Sequence, residues 1–481
     1  MKSRLFASVM LAGLFSSAAM AQIKGEKAIQ FEARGADPVA AFEGELMVPE
    51  NRSNADSRMI PIRYVRFPAT GEKKGPPIIY LAGGPGGSGI ATAKYRRFAM
   101  FMALRAYGDV IALDQRGTGA SNILPGCNSD QHVPTDHAVS DAAYVAMHRA
   151  ALEECVAFWK AEGVDIKGYN TLENVHDVDA LRAHLGADKM VLWGTSYGSH
   201  MALAALKEFE GRIDRVVLSS AEGLNQTIKL PARTDAYFDR LQAAVDSQPT
   251  AKAAYGDIKA LIRRVHDKLE NAPVPLKVKM RDGAVADMMF TRRDMQMVAS
   301  GMVSDPSWGA SRLLMLYLAL DNGITAPLEE GLGRFIDPRE PISMSPMSVL
   351  MDIASGMTGG KKALVAEQAK TAFLKDYLNF SYHYDGMFPE LDLGDDFRAK
   401  PVSDVPVLLF SGTLDGRTYL EGQAEAVAGL SNLTHITVVN AGHNLYMSTP
   451  DVQAAINRFM EGEPPASDTI TTDLPDFTPK M

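Results

Sequence analysis

Six short runs rich in apolar residues, at 77–81, 109–113, 189–193, 213–218, 405–410 and 435–439, constrain this chain more than any other feature. Strands covered on both faces read as near-continuous apolar runs, which is the pattern of a buried parallel sheet. Helical stripes separate most of these runs. Val145, Leu152, Val156 and Trp159 share one helical face, with Cys155 beside it, and Val175, Val178, Leu181 and Leu185 form another. Strands alternating with helices predict a mostly parallel sheet flanked by helices on both faces. Two further strands are expected at 42–48 and 59–67, joined by a polar turn over 49–57.

The alternation breaks between about 223 and 395 and resumes at Val405. The expected organisation is therefore an α/β catalytic unit made of 22–222 and 396–481, interrupted by a helical lid or cap over 223–395. Of the 25 methionines, 11 lie between Met280 and Met357. Methionine suits an adaptable apolar surface over a pocket and suits an irregular core equally well. The stretch 461–481, rich in Pro and Asp, is expected to be loosely held.

Residues 1–21 read as a secretory signal peptide: Lys2 and Arg4 ahead of the apolar segment 5–14, then Ala19-Met20-Ala21 as a small-x-small cleavage site. Export to the periplasm or the medium is the expectation. Loss of Lys2 and Arg4 with the signal takes the formal charge from −9 to −11. An acidic chain with no basic run of five residues is a poor match for nucleic acid. Beyond the N-terminus no apolar stretch is long enough to span a bilayer. The two cysteines, Cys127 and Cys155, predict one disulfide in an oxidising compartment, with a pair of buried thiols as the alternative.

The chemistry centres on Gly194-Thr195-Ser196-Tyr197-Gly198. The pentapeptide follows the run 189–193 and precedes the helix-like run 199–206, and a strand–turn–helix setting is what a nucleophile elbow requires. A serine hydroxyl is a weak nucleophile until a base, itself oriented by a carboxylate, takes its proton. The expected order along the chain is Ser, acid, His. Asp415 follows the run 405–410, and His443 follows 435–439, so both fall at the carboxyl edge of the sheet, where ligands bind in open α/β folds. His435 and His383 follow no strand and are weaker candidates; Glu222 is the reserve for the acid.

Stabilising a developing oxyanion requires two backbone N–H groups. Tyr197, directly after the serine, offers one. The other is expected from the loop after 77–81, Ala82-Gly83-Gly84-Pro85-Gly86-Gly87-Ser88-Gly89, with Gly84 the choice and Ser88 read as a turn residue. That loop also imitates a dinucleotide fingerprint: Gly84, Gly86 and Gly89 fit Gly-x-Gly-x-x-Gly, and Asp114 ends the next strand. Pro85 removes an N–H from a loop that would have to cradle phosphate, and a nucleotide-binding protein would leave the three candidate catalytic residues unexplained.

Gly83-Gly84-Pro85-Gly86-Gly87, Asp114-Gln115-Arg116-Gly117-Thr118-Gly119-Ala120-Ser121, the serine pentapeptide and Ser411-Gly412-Thr413-Leu414-Asp415 together resemble the proline iminopeptidase and tripeptidyl aminopeptidase family of α/β-hydrolases. The resemblance covers roughly 40 to 460 and is weakest across the lid. It implies the α/β-hydrolase fold and a serine exopeptidase acting at peptide N-termini, and it fits the exported tripeptidyl-type branch best, the cysteine pair included. Asp114 and Arg116 are expected to support rather than react. Many iminopeptidases carry His where this chain has Ala82, which weakens the case for proline specificity.

An aminopeptidase must hold a substrate ammonium, and a carboxylate in a dry cleft is the means. Glu222, just beyond the run 213–218, is the candidate. The expected partners are peptides with a free N-terminus; no organic cofactor is required, and no His-Glu-x-x-His or paired Cys-x-x-Cys suggests zinc. A carboxylesterase acting on small esters with the same triad is the alternative reading, because triad and oxyanion hole serve both chemistries.

Overall fold

The computed structural model describes residues 22–72, 75–95 and 97–480. The expected signal peptide, 1–21, lies outside the described residues. A sheet of ten strands organises the chain: β1 (Lys27–Phe31), β2 (Val39–Pro49), β3 (Met59–Phe67), β4 (Ile78–Leu81), β5 (Val110–Leu113), β6 (Met190–Thr195), β7 (Ile213–Ser219), β8 (Val407–Gly412), β9 (Leu433–Val439) and β10 (Thr469–Thr471). Their spatial order is β1-β2-β3-β5-β4-β6-β7-β8-β9-β10. The β1–β2–β3 meander and its junction with β5 are antiparallel; every pair from β5 to β10 is parallel.

The apolar runs become strands because both of their faces are covered. Every residue of β4, β5, β6 and β8 is buried. One face packs Leu81, Ile111 and Leu192 against α1 (Asp141–Ala161), α2 (Thr171–His184) and α3 (Tyr197–Phe209). The other packs Tyr80, Trp193, Val217 and Phe410 against Phe101 and Ile456. Side-chain caps start α1 and α2: Ser140 accepts from the Ala143 N–H and Asn170 from the Glu173 N–H. The two cysteines are joined, with their Cα atoms 5.5 Å apart.

Between β7 and β8 the chain forms mostly helices with a core of its own around Tyr237, Leu261, Leu313 and Tyr317. It is not helical throughout. Val274–Lys279 and Val285–Phe290 pair as an antiparallel hairpin, whose alternating Leu276 and Val278 are buried. Ser343–Met344 pairs with Cys127–Asn128, so the segment is stitched to the α/β unit beside the disulfide. Most of the clustered methionines fill cores rather than line an open surface. Met280, Met295 and Met302 pack inside the insertion, and Met344, Met347 and Met351 enter the core against the main sheet.

The stretch 461–481 corrects the expectation of a loose tail. Thr469–Thr471 adds β10 to the sheet edge beside β9, and Phe477 is buried in the core of the insertion. Gln248 grips the segment from both sides, its Nε2 donating to the Pro475 carbonyl at 2.7 Å and its Oε1 accepting from the Phe477 N–H at 2.9 Å. Two apolar anchors, Ile470 and Phe477, outweigh a composition rich in Pro and Asp.

Candidate active site

Ser196 is the single residue between β6 and α3, at φ 54°, ψ −127°. A non-glycine residue held there costs of order 1–3 kcal/mol, which the surrounding fold must supply. The turn is tight enough to demand glycine on both sides. A Cβ at Gly194 would lie 2.5 Å from the Gly198 carbonyl oxygen, and a Cβ at Gly198 would lie 2.0 Å from that of Leu81. Tyr197 opens α3, where a helix leaves its first N–H groups unpaired. The Tyr197 ring is fully buried, with its hydroxyl 3.0 Å from Thr171 Oγ1. The glycine loop after β4 reaches the same point, and Gly83 and Gly84 line one cavity with Ser196.

Asp415 lies just beyond β8 and is completely buried. It accepts from the Arg417 and Thr418 N–H groups at 2.8 and 2.9 Å, from Thr418 Oγ1 at 2.7 Å and from His443 Nδ1 at 3.0 Å. Burial alone would raise the carboxyl pKa, but His443 and the Thr418 hydrogen bonds outweigh it and hold the group below the usual carboxylate range. A proton on His443 Nδ1, donated to Asp415, leaves Nε2 as the acceptor. The His443 backbone is fixed at both ends: its N–H donates to the Ser304 carbonyl of the insertion at 2.7 Å, and its carbonyl accepts from Ser220 Oγ at 2.8 Å.

Two cavities meet at Ser196 and Gly84. One, of about 400 Å³, opens past His443 and is lined by Tyr80, Arg97 and Asn444. The other, of about 260 Å³, runs under the insertion and is lined by Glu222, Lys229, Asp352, Phe380 and Arg417. Glu222 is buried and ion-paired with Lys229 at 2.7 Å. Its burial works against ionisation, yet Lys229 and His200 keep its pKa low. Asp415, not Glu222, is the carboxylate on His443.

Asp352 is a group the sequence reading missed. It projects from α4 (Pro346–Ser355) and accepts from Ser381 Oγ at 2.8 Å. Burial raises its pKa to about 6, the Ser381 hydrogen bond opposing and the Glu222 charge adding to the effect. Its sequence signal is faint: one acid in a helix whose other side chains are apolar or small.

The remaining candidates take other places. His435 lies within β9 and hydrogen-bonds Ser411 Oγ at 2.8 Å. His383 is 3.5 Å from Asp376. Ser88 caps a short helix at Ala91 and donates to Asp114 at 2.6 Å. Asp114 also accepts from the Ile90 and Ala120 N–H groups, so the carboxylate that a ribose would need is already engaged. Arg116 is entirely buried, bidentate on Asp177 and donating to the Glu50 and Gly168 carbonyls; it clamps loops rather than facing a cavity. Among the described residues, no three His, Cys, Asp or Glu side chains gather as a metal site, and no helix is long and apolar enough to cross a membrane.

Comparison with known proteins agrees with this architecture. The family model described as α/β hydrolase fold matches residues 76–297, and the model described as TAP-like protein matches 394–471. Serine protease Hip1 of Mycobacterium tuberculosis is 33% identical over 190 residues, 38% of this chain and 36% of that protein. Tripeptidyl aminopeptidase of Streptomyces lividans is 28% identical over 187 residues, 37% of this chain and 34% of that protein. A probable proline iminopeptidase of Streptomyces coelicolor is 28% identical over 171 residues, 35% and 41% respectively. The alignments thus span little more than a third of the length of the first two relatives.

Proposed function

We propose, from the α/β-hydrolase fold and the partial similarity to tripeptidyl aminopeptidase and proline iminopeptidase, that the chain is an exported serine exopeptidase releasing residues from the free N-terminus of peptides. The observation that carries the reading is the His443–Asp415 contact of 3.0 Å beside a serine held on a strained strand–helix turn. In this reading Ser196 Oγ attacks the scissile carbonyl while His443 Nε2 takes its proton. The same proton passes to the leaving amine as the C–N bond breaks, and water, deprotonated by His443, then hydrolyses the acyl-enzyme. Asp415 holds the imidazole and balances its positive charge. The N–H groups of Gly84 and Tyr197 receive the oxyanion.

Glu222 and Asp352, which line the cavity under the insertion with Lys229 and Arg417, are the carboxylates offered to the substrate ammonium. Lys229 neutralises part of the Glu222 charge, which leaves Asp352 the freer partner. Export rests on the signal-like segment 1–21 and on the Cys127–Cys155 bridge, since disulfides persist in oxidising compartments.

The test uses the purified mature protein, a fluorophosphonate probe, and aminoacyl and tripeptidyl chromogenic amides with and without N-terminal blocking. Labelling that disappears in Ser196→Ala, with turnover of unblocked amides only, is the expected result. Ester turnover without amide turnover would make the protein a carboxylesterase, and absence of labelling would remove the triad.

A further inference from the structure

The two cavities at Ser196 differ in their acids. The one under the insertion holds Glu222 and Asp352 beside Lys229 and Arg417. The one that opens past His443 holds Arg97 and no acid. In a serine hydrolase the histidine delivers its proton to the leaving group, so the leaving group departs on the side that the histidine faces. Of these two cavities, His443 lines the one with Arg97.

The contacts of Arg97 do not use all of its donors. Its guanidinium donates to the Tyr80 hydroxyl and, at 3.3 Å, to Asn444 Oδ1, next to His443. It lies 5.7 Å from the centroids of both the Tyr80 and Tyr446 rings. Among the described residues no carboxylate pairs with it, whereas most of the arginines there have an acidic partner, as Arg52, Arg233 and Arg240 do. A half-buried guanidinium with spare donors and no counter-ion, beside the departing amine, matches a carboxylate in geometry and charge.

We propose that Arg97 binds the free C-terminal carboxylate of the leaving fragment, so that the substrates are short zwitterionic peptides held at both ends: ammonium in the cavity of Glu222 and Asp352, carboxylate on Arg97. This deepens the exopeptidase reading and rests on it. It assigns a specificity residue on the leaving-group side and a substrate class, oligopeptides in which the scissile bond lies close to the C-terminus as well as to the N-terminus.

The test compares kcat/KM for a short unblocked peptide with that for the same peptide as its C-terminal amide, in the wild type, Arg97→Gln and Arg97→Lys. The wild type should favour the free acid by about tenfold or more, the worth of one charge-assisted contact. The preference should collapse in Arg97→Gln, return in part in Arg97→Lys, and shrink in the wild type as salt rises. A purely packing role for Arg97 would lower both rates together and leave their ratio alone. Equal rates on acid and amide in the wild type, or a preference that survives in Arg97→Gln, overturn this proposal while leaving the exopeptidase intact. Turnover of esters with neither peptide cut overturns both. Should Arg97→Gln fail to fold, the wild-type acid-to-amide ratio and its salt dependence decide the matter alone.

Discussion

Ser196 and Asp415 show two ways in which one residue can be made ready. Ser196 is lifted onto its turn by strain that Gly194 and Gly198 make geometrically possible. Asp415 is kept ionised by four donors in a site with no water contact. In the proposed triad, Asp415→Asn preserves the shape but no longer stabilises an imidazolium; kcat should fall on the order of 10⁴-fold with KM nearly unchanged. Asp352 carries a pH signature. Its folded pKa of about 6 lies above the unfolded value, so ionising it opposes folding as pH rises from about 4 to 6, and the full cost persists above that. Asp352→Asn should therefore stabilise the protein at pH 7.5, on the order of 2–3 kcal/mol, and leave it unchanged near pH 3.5. In the proposed reading the same carboxylate must be charged to hold an ammonium, so the wild-type KM for unblocked peptides should rise as pH falls through about 6, and KM of the variant should be high and flat. Thermal melts and pH-dependent kinetics of the two proteins check both statements. The candidates Ser196, Asp415 and His443 stand out in the sequence because each ends or follows an apolar run. Asp352 and Arg97 could not, because each sits in a helical context that has no motif and acquires its setting only from chain folded hundreds of residues away.

At the scale of elements, packing explains which sequence patterns were readable. A strand covered on both faces leaves a nearly unbroken apolar run, so β4 to β9 were visible within about two residues of their ends. The hairpin at 274–290 was not, because its strands expose alternate Lys277, Lys279 and Asp287 and are embedded among helical stripes. The methionines were ambiguous for a physical reason, since a flexible thioether fills a core as readily as it lines a groove. The disulfide acts at this scale. Cys127 belongs to the two-residue strand that pairs with Ser343–Met344, and Cys155 lies in α1, 28 residues on. Replacing both by Ser should cost up to about 3.6 kcal/mol through the freed loop, seen as a lower denaturation midpoint. Fluorophosphonate labelling of the folded variant should persist, because neither cysteine touches the cavities at Ser196.

Across the whole molecule, the sheet and the insertion are joined by more than the chain that enters the insertion after β7 and leaves it before β8. Residues 469–477 run from β10 on the sheet edge to Phe477 inside the core of the insertion, a link that composition hid because two buried side chains in twenty decide it. Phe477→Ala should cost about 3–5 kcal/mol, and chemical unfolding should show the loss in the insertion first, where the side chain is buried.

That strap, with the pairing of Ser343–Met344 to Cys127–Asn128, changes what kind of door the insertion can be. A cap tied at two neighbouring points swings like the cover of a book; one tied at distant further points is a riveted plate. Traffic to Ser196 then passes through the two cavities that meet there. For the proposed exopeptidase, that arrangement favours a thin chain end over a broad fold, a filter by girth before any side chain is read.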